Sequence, residues 1–261
     1  MQLFKKFFLQ QADLAEADTT ALELLVERLP RGPLEEVRAR LEARTATPTT
    51  LVVEKDWTTD DTLLCTLSFG AHSVDVAGIS APLPSEVLER TVMVSHWGGA
   101  FRARAAGHAA HVILLYSGAS REGIAQATAV YQVATALFAP DQLGTLLAAV
   151  NEPAWTAHPG HFVPQLVAAE MLPVLAESPP LPFWTGLLKL DADGESIFLT
   201  RGFHRFGLPD LALQGYSHDQ AREAHELLHD LFHYFYYENR DVRPGDFLTI
   251  ADVGYLAFAD G

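Results

Sequence analysis

The sequence predicts an α+β fold, with a mainly antiparallel sheet and helices packed on one face. Three observations predict it. Two runs that read as strands, Thr62–Phe69 and Ser73–Ile79, sit on either side of Gly70-Ala71, a plausible hairpin turn. Later, Phe183–Leu190 and Glu195–Arg201 flank Asp191-Ala192-Asp193-Gly194, which carries strong turn chemistry. Two long helical patterns, Arg121–Ala139 and Ser217 to about Asn239, complete the set. Strands joined by tight turns pair antiparallel, and helices grouped outside such a sheet define the α+β class.

The elements follow in order. Thr19–Leu29 reads as a helix with Leu22, Leu24, Leu25 and Leu29 as its apolar set. Arg31-Gly32-Pro33 breaks it, and Pro33 suits the start of a second helix, Leu34–Ala43. With the polar connector Thr45–Thr50, this divides the chain into an N-terminal helical segment, 1–48, and a single α+β domain, 49–261. Leu51–Glu54 opens the strands; in the next one Leu63, Cys65, Leu67 and Phe69 share one face. Ala81-Pro82-Leu83-Pro84 ends that run, and Ser85 caps a short helix to Val92. The apolar strand His111–Tyr116 turns through Ser117-Gly118-Ala119-Ser120 into the long helix, which Pro140 stops. Leu143–Val150 is taken as a strand, Phe162–Leu172 as a helix and Glu177–Pro182 as a linker. Ser217 and Gln220 form a capping box for the last helix, and Phe247–Ile250 is a closing strand.

Composition narrows the function. The 261 residues are 49% hydrophobic, enough for a real core, and Cys65 is the single cysteine, which excludes an internal disulfide and a multi-cysteine zinc site. Against 33 acidic side chains stand 18 basic ones, a formal charge of −15, which excludes nucleic acid as partner because neutralising phosphates takes clustered Lys and Arg. Residues 1–140 carry a net −4, with 16 acids and 12 bases; residues 141–261 carry −11, with 17 acids and 6 bases. A basic protein partner would be steered to that second half. No window approaches a membrane span. Met1–Gln10, MQLFKKFFLQ, lacks the long apolar run and cleavage site of a signal peptide and reads as a leader or docking helix; the expected location is the cytoplasm.

One motif is sharp. His225-Glu226-Leu227-Leu228-His229 matches H-E-x-x-H on a helix, the pattern in which two histidines one turn apart bind zinc and the Glu activates water. Helical geometry argues the other way. Ala224, Leu227, Leu228, Leu231 and Phe235 cluster on one face, and His225, His229 and His233 form a stripe on its flank. The third ligand would come from elsewhere, for instance His158 or His161. The reading adopted is a polar helix stripe with no metal and no catalytic residue. The alternative is a zinc-dependent hydrolase with His225 and His229 as ligands and Glu226 as base.

Other candidates are weighed the same way. Arg201, His204 and Arg205 concentrate positive charge within the acidic half and form the candidate binding cluster for an anion or a partner's carboxylate. The competing reading pairs them internally with Asp210 or neighbouring acids. Cys65 is read as a core thiol, and His108 and His111 as structural histidines. Ser117–Ser120 lacks both phosphate-loop signatures, and Ser120 is read as a helix cap. The run Phe232, Tyr234, Phe235, Tyr236, Tyr237 can serve core or interface, which leaves a subunit of an obligate oligomer as a further alternative.

A resemblance rests on motif order. Ala81-Pro82-Leu83-Pro84 precedes a helix; Ser95-His96-Trp97 is followed by His108-Ala109-Ala110-His111-Val112 and the long helix. Pro182-Phe183-Trp184-Thr185-Gly186 opens a hairpin leading to Thr200-Arg201-Gly202 and Phe206-Gly207-Leu208-Pro209-Asp210-Leu211, and the last helix leads to Pro244-Gly245-Asp246. Over about Ala81 to Ile250 the chain resembles the bacterial domain-of-unknown-function family 4261. The resemblance implies a cytosolic bacterial protein with a role of toxin-immunity type. It carries over no catalytic residue, and the family pattern does not require the H-E-x-x-H residues. The expectation is therefore a non-enzymatic protein-binding module that uses its acidic second half.

Overall fold

The computed structural model describes residues 20–57, 62–93, 98–151, 156–159, 184–192, 195–238, 247–250 and 254–257. The leader at 1–10, Ser95-His96-Trp97, the helix at 162–172, the linker at 177–182, His161, Asp193-Gly194 and Pro244-Gly245-Asp246 lie outside the described residues.

The fold is α+β. Seven antiparallel strands form the main sheet: β1 (Ala21–Val26), β2 (Thr49–Lys55), β3 (Thr62–Phe69), β4 (His72–Ile79), β5 (Ala110–Tyr116), β6 (Leu146–Asn151) and β7 (Thr156–Pro159). Their spatial order is β2-β3-β4-β5-β1-β6-β7. The strand at Thr62–Phe69 and the hairpin at Gly70-Ala71 stand where the alternation puts them.

The first segment departs from expectation. Residues 21–26 are not part of a helix; they are β1, hydrogen-bonded between β5 and β6. Ala-Leu-Glu-Leu-Leu-Val has helix-forming composition, but tertiary cover overrides local propensity. Leu22, Leu24 and Val26 enter the main core, while Leu25 packs on the opposite face with Ala148 and Val150. A strand covered on both faces shows no alternation, so its pattern cannot be told from a helix.

Among the described residues five helices accompany the strands: α1 (Leu34–Thr45), α2 (Ser85–Thr91), α3 (Gly99–Ala106), α4 (Gly123–Ala136) and α5 (Ala221–Glu238). Helices α1 and α4 cover one face of the main sheet, where Leu34, Val37 and Leu41 meet Val130, Tyr131 and Ala134. Arg40 Nε donates to the Ala136 carbonyl (2.8 Å) and Arg44 Nη1 to Thr135 Oγ1, placing cations at the negative end of α4. Among the described residues the other face is covered around β1 and β6, where Val87, Leu88 and Phe101 of α2 and α3 pack. The single helical layer expected from sequence therefore holds at β2–β4, where Thr66–Asp75 (2.7 Å) and Ser68–Ser73 (2.9 Å) hydrogen bonds line the uncovered face.

Two predicted caps move by a residue or two. Ser85 is the first residue of α2 and Ser120 lies two residues before the cap of α4; Pro84 and Glu122 hold the N-cap positions, with no side-chain capping bond. The Ser217–Gln220 box is present, on a short 3-10 turn that leads into α5.

A second, smaller unit follows: β8 (Gly186–Ala192), β9 (Glu195–Arg201) and β10 (Ala212–Tyr216) form a three-stranded antiparallel sheet. Helix α5 covers it with Ala224, Leu227, Leu228, Leu231, Phe232 and Phe235 against Leu187, Phe198 and Leu213. The strands β11 (Phe247–Ile250) and β12 (Gly254–Ala257) form a separate hairpin. No helix of the described residues is long and apolar enough to cross a membrane.

Candidate functional site

An aromatic seam joins the two cores. Trp184 is fully buried and lies 6.4 Å from Tyr131 of α4 and 6.3 Å from Phe206, with which it stacks. Phe206 in turn meets Phe232 (5.3 Å) and Tyr236 (6.4 Å) of α5. Such edge and offset contacts add to the area the rings bury. Phe203–Phe206 is a single 3-10 turn bounded by Gly202 and Gly207, whose φ of 95° and 77° are left-handed and suit glycine. This turn seats on the start of α4. A Cβ at Gly123 would run into the carbonyl oxygen of Arg205, so only glycine allows the approach.

Beside the seam lies a cleft of about 600 Å³, lined in part by Arg121, Glu122, Gln132, Arg205 and Tyr236. The sequence singles out none of these as cleft-forming; Arg205 is a candidate there for anion binding and Tyr236 for core or interface. The positions are far apart along the chain and carry no spacing signal. Gly123 offers the one local hint, a glycine at a helix start, and its partner lies in a turn some eighty residues away.

The Arg201, His204 and Arg205 cluster is divided by the fold. His204 Nδ1 lies 3.3 Å from Asp210 Oδ2. The Asp210 carboxylate also accepts from the Phe203 N–H (3.0 Å) and the Thr200 hydroxyl (3.2 Å). Burial lowers the Arg201 guanidinium below its ordinary value, and Asp210 opposes that shift. Arg205 turns the other way, into the cleft. Burial pushes it down to about 10, opposed by the Tyr131 phenol, so it keeps its charge at neutral pH. Two members thus gather around Asp210 and the third belongs to the seam.

On α5 the histidines occupy the half-buried flank. Burial holds His225, His229 and His233 below the usual imidazole value, and His225 lowers His229 further. Nε2 of His229 lies 3.3 Å from Nε2 of His233, with ring centroids 4.5 Å apart. Glu226 points outward, 3.8 Å from Arg222. Among the described residues no group of three His, Cys, Asp or Glu converges on one point.

The outward side of α5 is acidic: Glu223, Glu226, Asp230 and Glu238 are exposed, with Arg222 as the one exposed base of the helix. The aromatic run is split. Phe232 and Phe235 are core, whereas Tyr234 is 36% and Tyr237 50% exposed.

The remaining candidates have structural partners. Cys65 is buried in β3, and burial, with Asp56 and Asp75 adding, pushes its thiol up to about 12. His108 accepts from the Leu83 N–H at Nε2 (2.8 Å) and donates from Nδ1 to the Ala105 carbonyl (2.8 Å); His111 Nδ1 bonds to Ala81 O (2.7 Å). The loop after β5 spends its donors internally: the Ser120 N–H bonds to Tyr116 Oη (3.1 Å) and the Glu122 N–H to Ser120 Oγ (3.3 Å).

No protein-family model matches this chain, and no curated protein and no solved structure matches it.

Proposed function

We propose that this chain is a non-enzymatic protein-binding module that engages a basic partner through its acidic second half, with the outer side of α5 as the contact. One observation carries the reading: four exposed acids surround two exposed tyrosines on a single helix whose opposite side is anchored in a core. Tyrosine supplies contact area at low entropic cost, and a rim of one charge sign steers an oppositely charged partner. The resemblance to family 4261 agrees with this and adds the narrower proposal of a cytosolic bacterial protein with a toxin-immunity role.

Fluorescence anisotropy with a labelled Lys/Arg-rich peptide, and with its Glu-substituted counterpart, tests the reading. The basic peptide alone binds, and added salt weakens it. Combining Glu223→Gln, Glu226→Gln and Asp230→Asn weakens binding roughly tenfold, equivalent to about 1.4 kcal/mol. Tyr234→Ser with Tyr237→Ser also weakens it, at unchanged charge, which separates docking from general attraction. Equal affinity in the wild type and the triple variant, or no binding of the basic peptide, overturns the reading.

A further inference from the structure

The H-E-x-x-H spacing draws attention to His225 and His229, but a second histidine pair follows on the next turn of the same helix. His229 and His233 also stand four residues apart, and their Nε2 atoms approach to 3.3 Å while the ring centroids remain 4.5 Å apart. The two rings therefore lean their Nε2 corners toward each other. A divalent zinc-like ion binds imidazole nitrogen at about 2.0–2.1 Å with tetrahedral angles, which requires two ligand nitrogens about 3.3–3.4 Å apart. The observed separation matches that distance; it is also the length of an Nε2–H···Nε2 hydrogen bond, so a bound ion takes the place of the proton shared between the rings.

The surroundings hold the pair in this pose. His233 stacks on Tyr237 at 5.6 Å, with planes 10° apart, and Phe232 meets its ring edge-on at 6.0 Å. Asp230 Oδ1 lies 4.0 Å from Nδ1 of His229, the nitrogen not used in the pair. The pair lies half-buried along the flank of α5, within reach of solvent that would fill the remaining coordination positions.

We infer that His229 and His233 form a two-histidine site for a first-row divalent transition-metal ion, with Nε2 of each ring as ligand. His225 and Glu226 are outside it. The site borders the partner-binding surface through Asp230 and Tyr237, which are its neighbours and not its ligands, so the two readings are tested by different variants. Imidazole donors select the borderline ions, so affinity follows Cu²⁺ above Ni²⁺ and Zn²⁺, and Mg²⁺ and Ca²⁺ do not compete.

Calorimetric titration of untagged protein with Ni²⁺ and, separately, Zn²⁺ tests the site. One equivalent binds to the wild type and to His225→Gln with the same affinity. His229→Gln and His233→Gln each weaken binding at least about tenfold, or about 1.4 kcal/mol. Loss on His225→Gln with retention in His233→Gln overturns the inference in favour of the H-E-x-x-H pair. Indifference to all three variants, or no binding by the wild type, also overturns it. A variant-free measurement guards against misfolding: substoichiometric Cu²⁺ broadens the ring resonances of His229 and His233 together before those of the other histidines. Broadening that begins elsewhere counts against the site.

Discussion

The two long helices α4 and α5 show how differently the two halves of the molecule use their surfaces. Helix α4 has no charged residue between Gly123 and Ala136, and nine of its fourteen residues are buried. It is pressed between the main sheet, α1 and the turn at Phe203–Phe206. Helix α5 buries only six of its eighteen residues, against a three-stranded sheet, and exposes acids and tyrosines on the other side. A helix enclosed on several sides stabilises; a helix enclosed on one side is free to recognise. The candidate chemistry accordingly gathers on α5 and at the seam where the two units meet.

That contrast can be broken first at the seam. Trp184→Ala removes the ring between Tyr131 and Phe206 and costs about 3–5 kcal/mol. Hydrogen exchange then shows the amides of α5 losing protection well before those of β1. Equal loss in both would mean that the two units unfold as one and that the seam does not separate them. Next in size, Gly123→Ala forces the turn away from α4 and costs about 1–3 kcal/mol by overpacking, read from the urea midpoint. An unchanged midpoint would show that the approach of Arg205 to α4 is not restrictive.

The smallest effect is pH-dependent and lies on the far face of the main sheet. Burial lowers His108, opposed by its bond to Ala105 and reinforced by His111, and the ring accepts the Leu83 N–H only when neutral. A folded-state value below the unfolded one means that the unfolded chain binds more protons in the window between them. The stabilisation is therefore full above about pH 6.5 and is lost as pH falls toward the folded-state value. Urea midpoints measured at about pH 7.5 and about pH 5.5 fall with acid, and the fall is shallower in His108→Gln. The other lowered histidines act in the same direction and cancel in that difference.

For the longer elements, legibility followed the number of faces covered. Strand β3 was readable because Leu63, Cys65, Leu67 and Phe69 are buried while the residues between them are only partly so. Helix α5 was readable for the same reason at a different period, with Leu227, Leu228, Leu231 and Phe235 against a polar flank. The hairpin β8–β9 came from turn chemistry, which is local. Strand β1 was misread because both its faces are covered, and α3, β7, β10 and β12 were missed as short elements with weak patterns. Of the candidate site, the histidine stripe and the acidic excess were visible. The partition of Arg201, His204 and Arg205, and the closeness of Gly123 to Arg205, were not.

By itself, then, the sequence determined the α+β class, the one-sided strands and helices, and the concentration of negative charge after residue 140. Those features depend on neighbours within a turn or a hairpin, where polarity and period are written directly into adjacent residues. Tertiary structure alone decided that Leu22–Val26 is a central strand and that Arg205 faces a cleft. Each of those outcomes turns on what packs against a side chain from elsewhere in the fold, and no local pattern encodes that.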